Sequence, residues 1–184
     1  EAALVTAEKL RLAVADLAGM PPESVLDSAC AVELAHTASL ILDDLPCMDD
    51  AVERRGRPCT HVAFGEATAL LATMGLLTLA FELVARNAAA CAAHPGAERG
   101  VPLLARAIGA PGLVYGQALD LSQTGHETSL EVLECIHHHK AGVLFLASLE
   151  IPARLLGMSE AKVAALCRFG ADLGLAFQIA DDLL

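Results

Sequence analysis

The sequence has 184 residues, of which 55% are hydrophobic and only 3% aromatic, and its formal net charge is −11. This length fits one domain, and a composition dominated by Ala and Leu favours an all-helical fold. The acidic balance argues against non-specific nucleic-acid binding, which needs clustered Lys and Arg, so we expect no nucleic acid among its partners.

The hydropathy pattern argues against a membrane span. The longest uncharged stretch near the middle lies between Glu66 and Glu82, which is shorter than the roughly 18 apolar residues that a span needs. No secretory leader is visible, and six scattered cysteines show neither CxxC pairs nor zinc-type spacing. We therefore expect a cytoplasmic protein with reduced thiols. Because it begins at Glu1 and stops at Leu184 directly after a motif, we expect a single domain over 1–184, incomplete at both ends.

The first predicted element is a helix from Pro21 to about Leu45, with small and apolar residues recurring on one side. Asp43 and Asp44 end this helix. Pro46 lacks an N–H and disfavours helix in the residue before it. The chain should turn there and bring Asp49 back toward the same space.

The rest of the chain also predicts helices. A polar loop at 53–58 precedes a long apolar helix at about 65–90, and a linker rich in Pro and Gly follows at 94–100. Further helices are predicted at about 101–108, 111–122, 129–157 and 159–184. No strand pattern or repeat stands out. The predicted architecture is a helical bundle whose core can hold a long apolar ligand.

Two aspartate clusters, at 43–50 and 178–182, lie within otherwise apolar sequence. Two like charges about 4 Å apart repel by about 4 kcal/mol at an effective dielectric constant of about 20, so buried carboxylates need cations. Oxygen ligands suit Mg²⁺, which keeps several waters and is commonly completed by substrate phosphates. The alternative for either cluster alone is a solvated helix end.

Five ordered motifs carry a family resemblance. The segment 36–49 with Arg54-Arg55-Gly56-Arg57-Pro58, then Gly116-Gln117-Ala118-Leu119-Asp120, Lys140 and the segment 177–182, resembles the trans-prenyl diphosphate synthases, bacterial and plant geranylgeranyl or bacterial farnesyl diphosphate synthases in particular. The resemblance spans most of the chain. It implies the all-α isoprenoid synthase fold, a helical bundle around a central apolar cavity.

The resemblance implies condensation of isopentenyl diphosphate, head to tail, with dimethylallyl, geranyl or farnesyl diphosphate, in a reaction that depends on Mg²⁺. It also implies a homodimer. Asp43, Asp44, Asp49 and Asp181 are the implied metal ligands, with Asp182 in support. Further implied roles place Arg54, Lys140 and Gln178 on the allylic diphosphate, and His36 and Arg55 on isopentenyl diphosphate.

Product length is expected to depend on the small residues one helical turn before Asp43. One turn rises about 5.4 Å, comparable with one isoprene unit, and farnesyl-producing relatives tend to carry a bulky aromatic residue at the position of Ala38 or Ser39. Small residues here predict an open tunnel and geranylgeranyl diphosphate, a C20 product. Candidates for the tunnel floor are Leu34, Ala35, Met74 and Leu77.

Alternatives stay open at this point. One is a farnesyl diphosphate synthase with a C15 product, and another is a non-catalytic subunit of a heteromeric synthase. Three departures from the family pattern bear on activity. Leu42 stands where histidine is usual, and Cys59 and Ala141 stand where threonines are expected. Lys140 is equally compatible with a surface helix, and the consecutive histidines 137–139 should point in different directions rather than bind one metal.

Overall fold

The computed structural model describes residues 2–182. The side chains of residues 2–8, Arg11, Gln178, Asp181 and Asp182 lie outside the described part. The α-helices are α1 (Ala2–Ala18), α2 (Leu26–Asp43), α3 (Thr60–Phe64), α4 (Glu66–Ala90), α5 (Gly100–Ile108), α6 (Leu113–Gln123), α7 (Leu130–His137), α8 (Val143–Leu155) and α9 (Glu160–Asp182). Short 3₁₀ turns at Pro22–Val25 and Ala97–Arg99 and a π-helical turn at His138–Gly142 connect some of them, and β1 (Glu53–Arg54) pairs antiparallel with β2 (Arg57–Pro58).

The main hydrophobic core lies where α2, α4, α5 and α8 meet. Leu104 of α5 and Ile151 and Leu155 of α8 are fully buried there, beside Val84 of α4 and Ala31 of α2. Burying a Leu or Ile side chain stabilises the fold by roughly 1.5–3 kcal/mol. This core fixes α2 against its neighbours, and α2 carries the first aspartate cluster at its C-terminal end.

The N-terminal end of α2 is held by a buried amide from α4. The Asn87 side chain accepts a hydrogen bond from the Ser28 N–H at 3.1 Å and donates one to the Ser24 carbonyl at 2.7 Å. The first N–H groups of a helix lack partners within the helix. Asn87 therefore satisfies one of them and joins α2 to α4 at the end opposite the aspartates.

The all-helical prediction is confirmed, and α4, α5 and α6 begin and end within two residues of their predicted bounds. The predicted helix at 129–157 is instead α7 and α8, separated by the π-helical turn. Sequence reasoning missed α1 and α3. It also missed the hairpin, because its two-residue loop depends on left-handed backbone at Arg55 and Gly56, with φ of 55° and 75°, and a positive φ is uncommon for arginine.

Two helices, Pro22–Asp43 with its preceding turn and Glu66–Ala90, are long and apolar enough to cross a membrane, with mean hydropathy of 1.4 and 1.8. Core helices of soluble proteins pass the same test, so this observation is weak support for a span. One face of each helix enters the main core, with Ala31 and Val32 from α2 and Ala80, Leu83 and Val84 from α4. Only 28% of the apolar window in α4 is buried, and its exposed face is considered below.

Candidate active site

Two cavities border α2 and share two lining residues, Ser39 and Asp43. We call the first, of about 280 Å³, the acidic cavity. Besides Ser39 and Asp43, it is lined by Val32, Glu33, His36, Leu40, Asp49, Arg54, Lys140, Ala141, Leu144, Phe145, Ser148 and Phe177. The structure thus brings five charged or titratable residues predicted for the site to one cavity: His36, Asp43, Asp49, Arg54 and Lys140.

The chain folds back on itself directly after α2. The Asp49 N–H donates to the Asp43 carbonyl at 2.9 Å, and the Met48 and Asp50 N–H groups donate to the Leu45 carbonyl at 2.9 and 3.1 Å. Asp50 adopts a left-handed conformation with φ of 50°, which Asp tolerates better than most residues. The prediction that the turn returns Asp49 to the space of Asp43 is confirmed.

Asp44 does not line the acidic cavity. Its carboxylate is buried and accepts hydrogen bonds from Arg54 Nε at 2.9 and 3.1 Å, and a second guanidinium nitrogen, Nη2, lies 2.7 Å from Oδ1. A paired arrangement of this kind fixes the planar guanidinium in orientation. Asp44, predicted to be a metal ligand, is placed by the structure as the anchor of Arg54, and Arg54 lines the cavity.

Asp43 is the carboxylate most affected by its surroundings. Burial raises its pKa from an ordinary 3.8 to about 6, and the negative charges of Asp49 and Asp44 add to the rise, whereas Lys140 and Arg54 oppose it. The charged form of Asp43 therefore lacks sufficient compensation from protein cations alone. A carboxylate of this kind, facing a second one across a cavity, is suited to a divalent cation.

The described side chains supply only part of a ligand set for magnesium. Within the described residues, no group of three or more His, Cys, Asp or Glu side chains is close enough to hold a metal ion. Asp43 and Asp49 line the cavity, and Mg²⁺ usually takes only one or two carboxylates together with waters and substrate phosphates. These two carboxylates would hold it. The predicted ligand Asp181, with Asp182 and Gln178, lies outside the described side chains.

Lys140 reaches the cavity from the π-helical turn and is held there by α6. Its ammonium lies 2.5 Å from Oδ2 of Asp120. Burial lowers the pKa of Lys140, but the Asp120 hydrogen bond and the charges of Asp43, Asp120 and Asp49 outweigh burial and raise it. Lys140 is thus a fixed cation beside the acidic pair. In the structure the Lys140 ammonium pairs with Asp120. The sequence motif alone does not predict this contact.

His36 lies two turns below Asp43 on the same face of α2. Burial lowers its pKa, and the charges of Arg55 and Arg54 lower it further, so the imidazole is neutral at pH 7. Arg55 itself is exposed and does not line the acidic cavity. Glu33, which lines the same cavity, was not predicted, although its spacing of three residues from His36 places it on the same helix face.

The second cavity, of about 300 Å³, is almost wholly apolar, and we call it the apolar cavity. Besides Ser39 and Asp43, it is lined by Ala35, Ala38, Leu42, Met48, Leu77, Ile108, Leu113, Val114, Gln117, Ala118 and Leu121. Ala38 is fully buried at its wall. Of the predicted floor residues, Ala35 and Leu77 line this cavity, whereas Met74 is 64% exposed and Leu34 packs against the main core.

The consecutive histidines 137–139 belong to no group of three metal-binding side chains in the part of the chain that the structure describes. His137 is buried, His138 is exposed and His139 stacks edge-on against Tyr115, with ring centroids 5.0 Å apart. The three side chains differ in burial, but the rings of His138 and His139 lie edge-on to each other, with centroids 4.9 Å apart.

The family model for polyprenyl synthetase matches residues 7–184, and it therefore covers both cavities. The chain belongs to the polyprenyl synthetase family. Its helices superimpose on those of a geranyltransferase from Legionella pneumophila with a TM-score of 0.87 at 36% identity, covering 98% of this chain and 67% of that one. An FPP/GFPP synthase from Zymomonas mobilis gives a TM-score of 0.86 at 34% identity, covering 96% of this chain and 64% of that one.

Sequence relatives within the polyprenyl synthetase family include a geranylgeranyl diphosphate synthase from Pantoea ananas, 45% identical over 98% of this chain and 57% of its own length. A putative chloroplastic geranylgeranyl pyrophosphate synthase 8 from Arabidopsis thaliana is 45% identical over 95% of this chain and 49% of its own length. The chain spans about half the length of the curated relatives that it matches.

Proposed function

We propose that this protein is a trans-prenyltransferase, which condenses isopentenyl diphosphate head to tail with an allylic diphosphate in a Mg²⁺-dependent reaction. The observation that carries the proposal is that Asp43 and Ser39 line both cavities. One cavity offers carboxylates and fixed cations for a metal and diphosphates, and the other offers an apolar wall for a hydrocarbon chain. The names of the sequence relatives agree with this function.

The chemistry asks for stabilisation of a leaving group. The allylic C–O bond breaks, the diphosphate leaves with the bonding electrons, the alkene of isopentenyl diphosphate forms the new C–C bond, and a proton is then lost to the departing diphosphate. When bound, Mg²⁺ would neutralise charge on that diphosphate. Lys140 and Arg54, each oriented by its own carboxylate, offer fixed positive charge where negative charge develops. Neutral His36, with Arg55 nearby, is proposed for the isopentenyl diphosphate side.

We propose geranylgeranyl diphosphate as the product. The alternative product is farnesyl diphosphate, and the distinguishing feature is the wall of the apolar cavity. Ala38 projects only a methyl group there, and Ser39 is similarly small. A hydrocarbon chain growing from Asp43 along α2 therefore meets no aromatic side chain in the first turn of this wall.

The test is incubation of the full-length protein with isopentenyl diphosphate and farnesyl diphosphate, with Mg²⁺ or with EDTA, followed by chromatography of the dephosphorylated alcohols. Geranylgeraniol formed only with Mg²⁺ is the expected result. Farnesol formed only from shorter primers would retain the chemistry and reject the C20 product. No elongation from any primer would refute the proposed reaction and favour the non-catalytic subunit.

We also propose that the protein acts as a homodimer in a reducing compartment, the cytoplasm. All six cysteines are free thiols, as expected where disulfides are rare. The dimer is proposed to form through the exposed apolar face of α3 and α4, on which Phe64, Leu70, Leu71 and Met74 are 47–69% exposed. Large exposed apolar patches mark interaction sites.

Light scattering during size-exclusion chromatography tests the dimer. The double variant Leu71→Glu/Met74→Glu should elute as a monomer, because it buries two charges in the proposed interface. Leu130→Glu changes an equally exposed leucine on α7 and should remain dimeric. A dimeric double variant would place the contact elsewhere.

A further inference from the structure

The π-helical turn that carries Lys140 is enclosed between two glycines from different helices. A π-helical turn inserts an extra residue into a helix and is often found at functional sites. Here it separates α7 from α8, and Lys140 is its third residue. The direction of the Lys140 side chain therefore depends on how this turn is held.

Gly116 of α6 contacts the turn from one side. A β-carbon at Gly116 would lie 2.7 Å from His139 Cβ and 2.8 Å from both the His139 carbonyl carbon and the Lys140 nitrogen. Non-bonded carbon atoms ordinarily lie about 3.5–4.0 Å apart. Two of these three contacts are with backbone atoms, which cannot rotate away, so any larger residue must push α6 and the turn apart.

The second helix packed against the turn is α9, and it contacts the turn at Gly174. A β-carbon there would lie 2.8 Å from the Gly142 Cα and 3.4 Å from the Phe145 ring. At Gly174 the atom in closest contact belongs to the backbone. Each helix thus approaches the turn at a position where only a glycine fits without displacement.

The contact at Gly116 bears directly on the acidic cavity. Asp120 lies one turn after Gly116 on α6, and its carboxylate holds the Lys140 ammonium at 2.5 Å. Because both partners belong to the two segments that meet at Gly116, the spacing between these segments sets the geometry of the ion pair. We propose that Gly116 and Gly174 are positioning residues, which hold the π-helical turn between α6 and α9 and so fix Lys140 in the acidic cavity. One part of this proposal rests on the proposed function, namely that the ligand contacted by Lys140 is the allylic diphosphate.

The test compares Gly116→Ala and Gly174→Ala with Gly170→Ala in the full-length protein. Gly170 is also a buried glycine of α9, but a β-carbon there would meet the Leu149 Cδ1 atom at 2.8 Å, the end of a flexible side chain. This control adds the same methyl group to the core without pressing on the turn. Comparing the melting temperatures of the three variants shows whether a loss of activity reflects only a loss of stability.

The first readout is steady-state kinetics. Displacing a substrate-positioning group by about 1 Å can cost on the order of 100-fold in rate. Gly116→Ala and Gly174→Ala should lower kcat/KM for the allylic diphosphate by about 10- to 100-fold, while KM for isopentenyl diphosphate changes less than about twofold. Gly170→Ala should match the wild type. An equal rise in KM for both substrates, or an equal loss of kcat/KM in all three variants, would overturn the proposal.

The second readout does not require activity. Lys140 is 23% exposed in its ion pair, and its reaction with an amine-acetylating reagent can be followed by mass spectrometry, with exposed Lys162 as the internal reference. The reagent should acetylate Lys140 at least threefold faster in the two test variants than in Gly170→Ala. If the wild type elongates no primer, the proposed function fails, and this rate still decides the role of the glycines. If Gly116→Ala does not fold, Gly174→Ala decides it, and an unchanged rate there would overturn the proposal.

Discussion

Replacing Asp43 by asparagine should stabilise the metal-free protein at neutral pH while removing the proposed prenyltransferase activity. Asparagine has nearly the shape of a protonated aspartic acid and carries no charge. Burial makes the charged form of Asp43 unfavourable in the folded protein, and the charges of Asp49 and Asp44 add to this cost. The Asp43→Asn substitution would remove that cost together with a ligand for Mg²⁺.

The magnitude follows from the pKa of Asp43, which is about 6 in the folded protein against an ordinary 3.8. Each pKa unit corresponds to about 1.4 kcal/mol, so ionisation of Asp43 destabilises the fold by about 3 kcal/mol at pH 7. Because the pKa is raised on folding, the destabilising contribution of Asp43 should decrease as the pH falls from about 7 to about 4. The advantage of the Asp43→Asn variant should therefore be largest at pH 7 and shrink to about half at pH 5.

The assay is urea denaturation in EDTA at pH 7 and pH 5, with Asp172→Asn as the control. Asp172 is exposed on α9, so this control removes one negative charge from a strongly acidic chain without affecting the cavity. Adding Mg²⁺ and diphosphate should stabilise the wild type and not Asp43→Asn. A variant that is less stable than the wild type at pH 7, or an advantage that does not depend on pH, would refute this reasoning.

Three further outcomes are expected. Asn87→Ala should lower the free energy of unfolding by about 2–4 kcal/mol in urea titrations, because it leaves two backbone groups near the start of α2 without their partner. Asp44→Ala should cost about 1–3 kcal/mol and raise KM for the allylic diphosphate, because Arg54 loses its buried anchor, whereas Asp27→Asn, which breaks an exposed ion pair, should leave the urea midpoint nearly unchanged. Ala38→Phe should shorten the main product toward C15 in the chromatographic assay, and an unchanged product distribution would refute the role of this wall.

Local features of the sequence were sufficient for much of the fold. Apolar periodicity and the Gly and Pro positions predicted α4, α5 and α6 closely, because these signals act within one helix. Pro46 predicted the turn that returns Asp49 to Asp43, because the restriction imposed by proline is local. The hairpin at 53–58 was missed, because its turn places an arginine at positive φ, which no residue preference indicates.

The candidate site, like the fold, was predictable from the sequence only in part. Residue type and order were enough to establish that carboxylates, arginines, a lysine and a small-residue helix face occur in a spacing typical of one family. The packing of the helices was needed to establish that Asp44 holds Arg54, that Asp120 holds Lys140, and that α2 borders both an acidic cavity and an apolar one. These outcomes depend on distances between segments 10 to 20 residues apart and on the burial that changes the cost of each charge, and both quantities are set by how the helices pack.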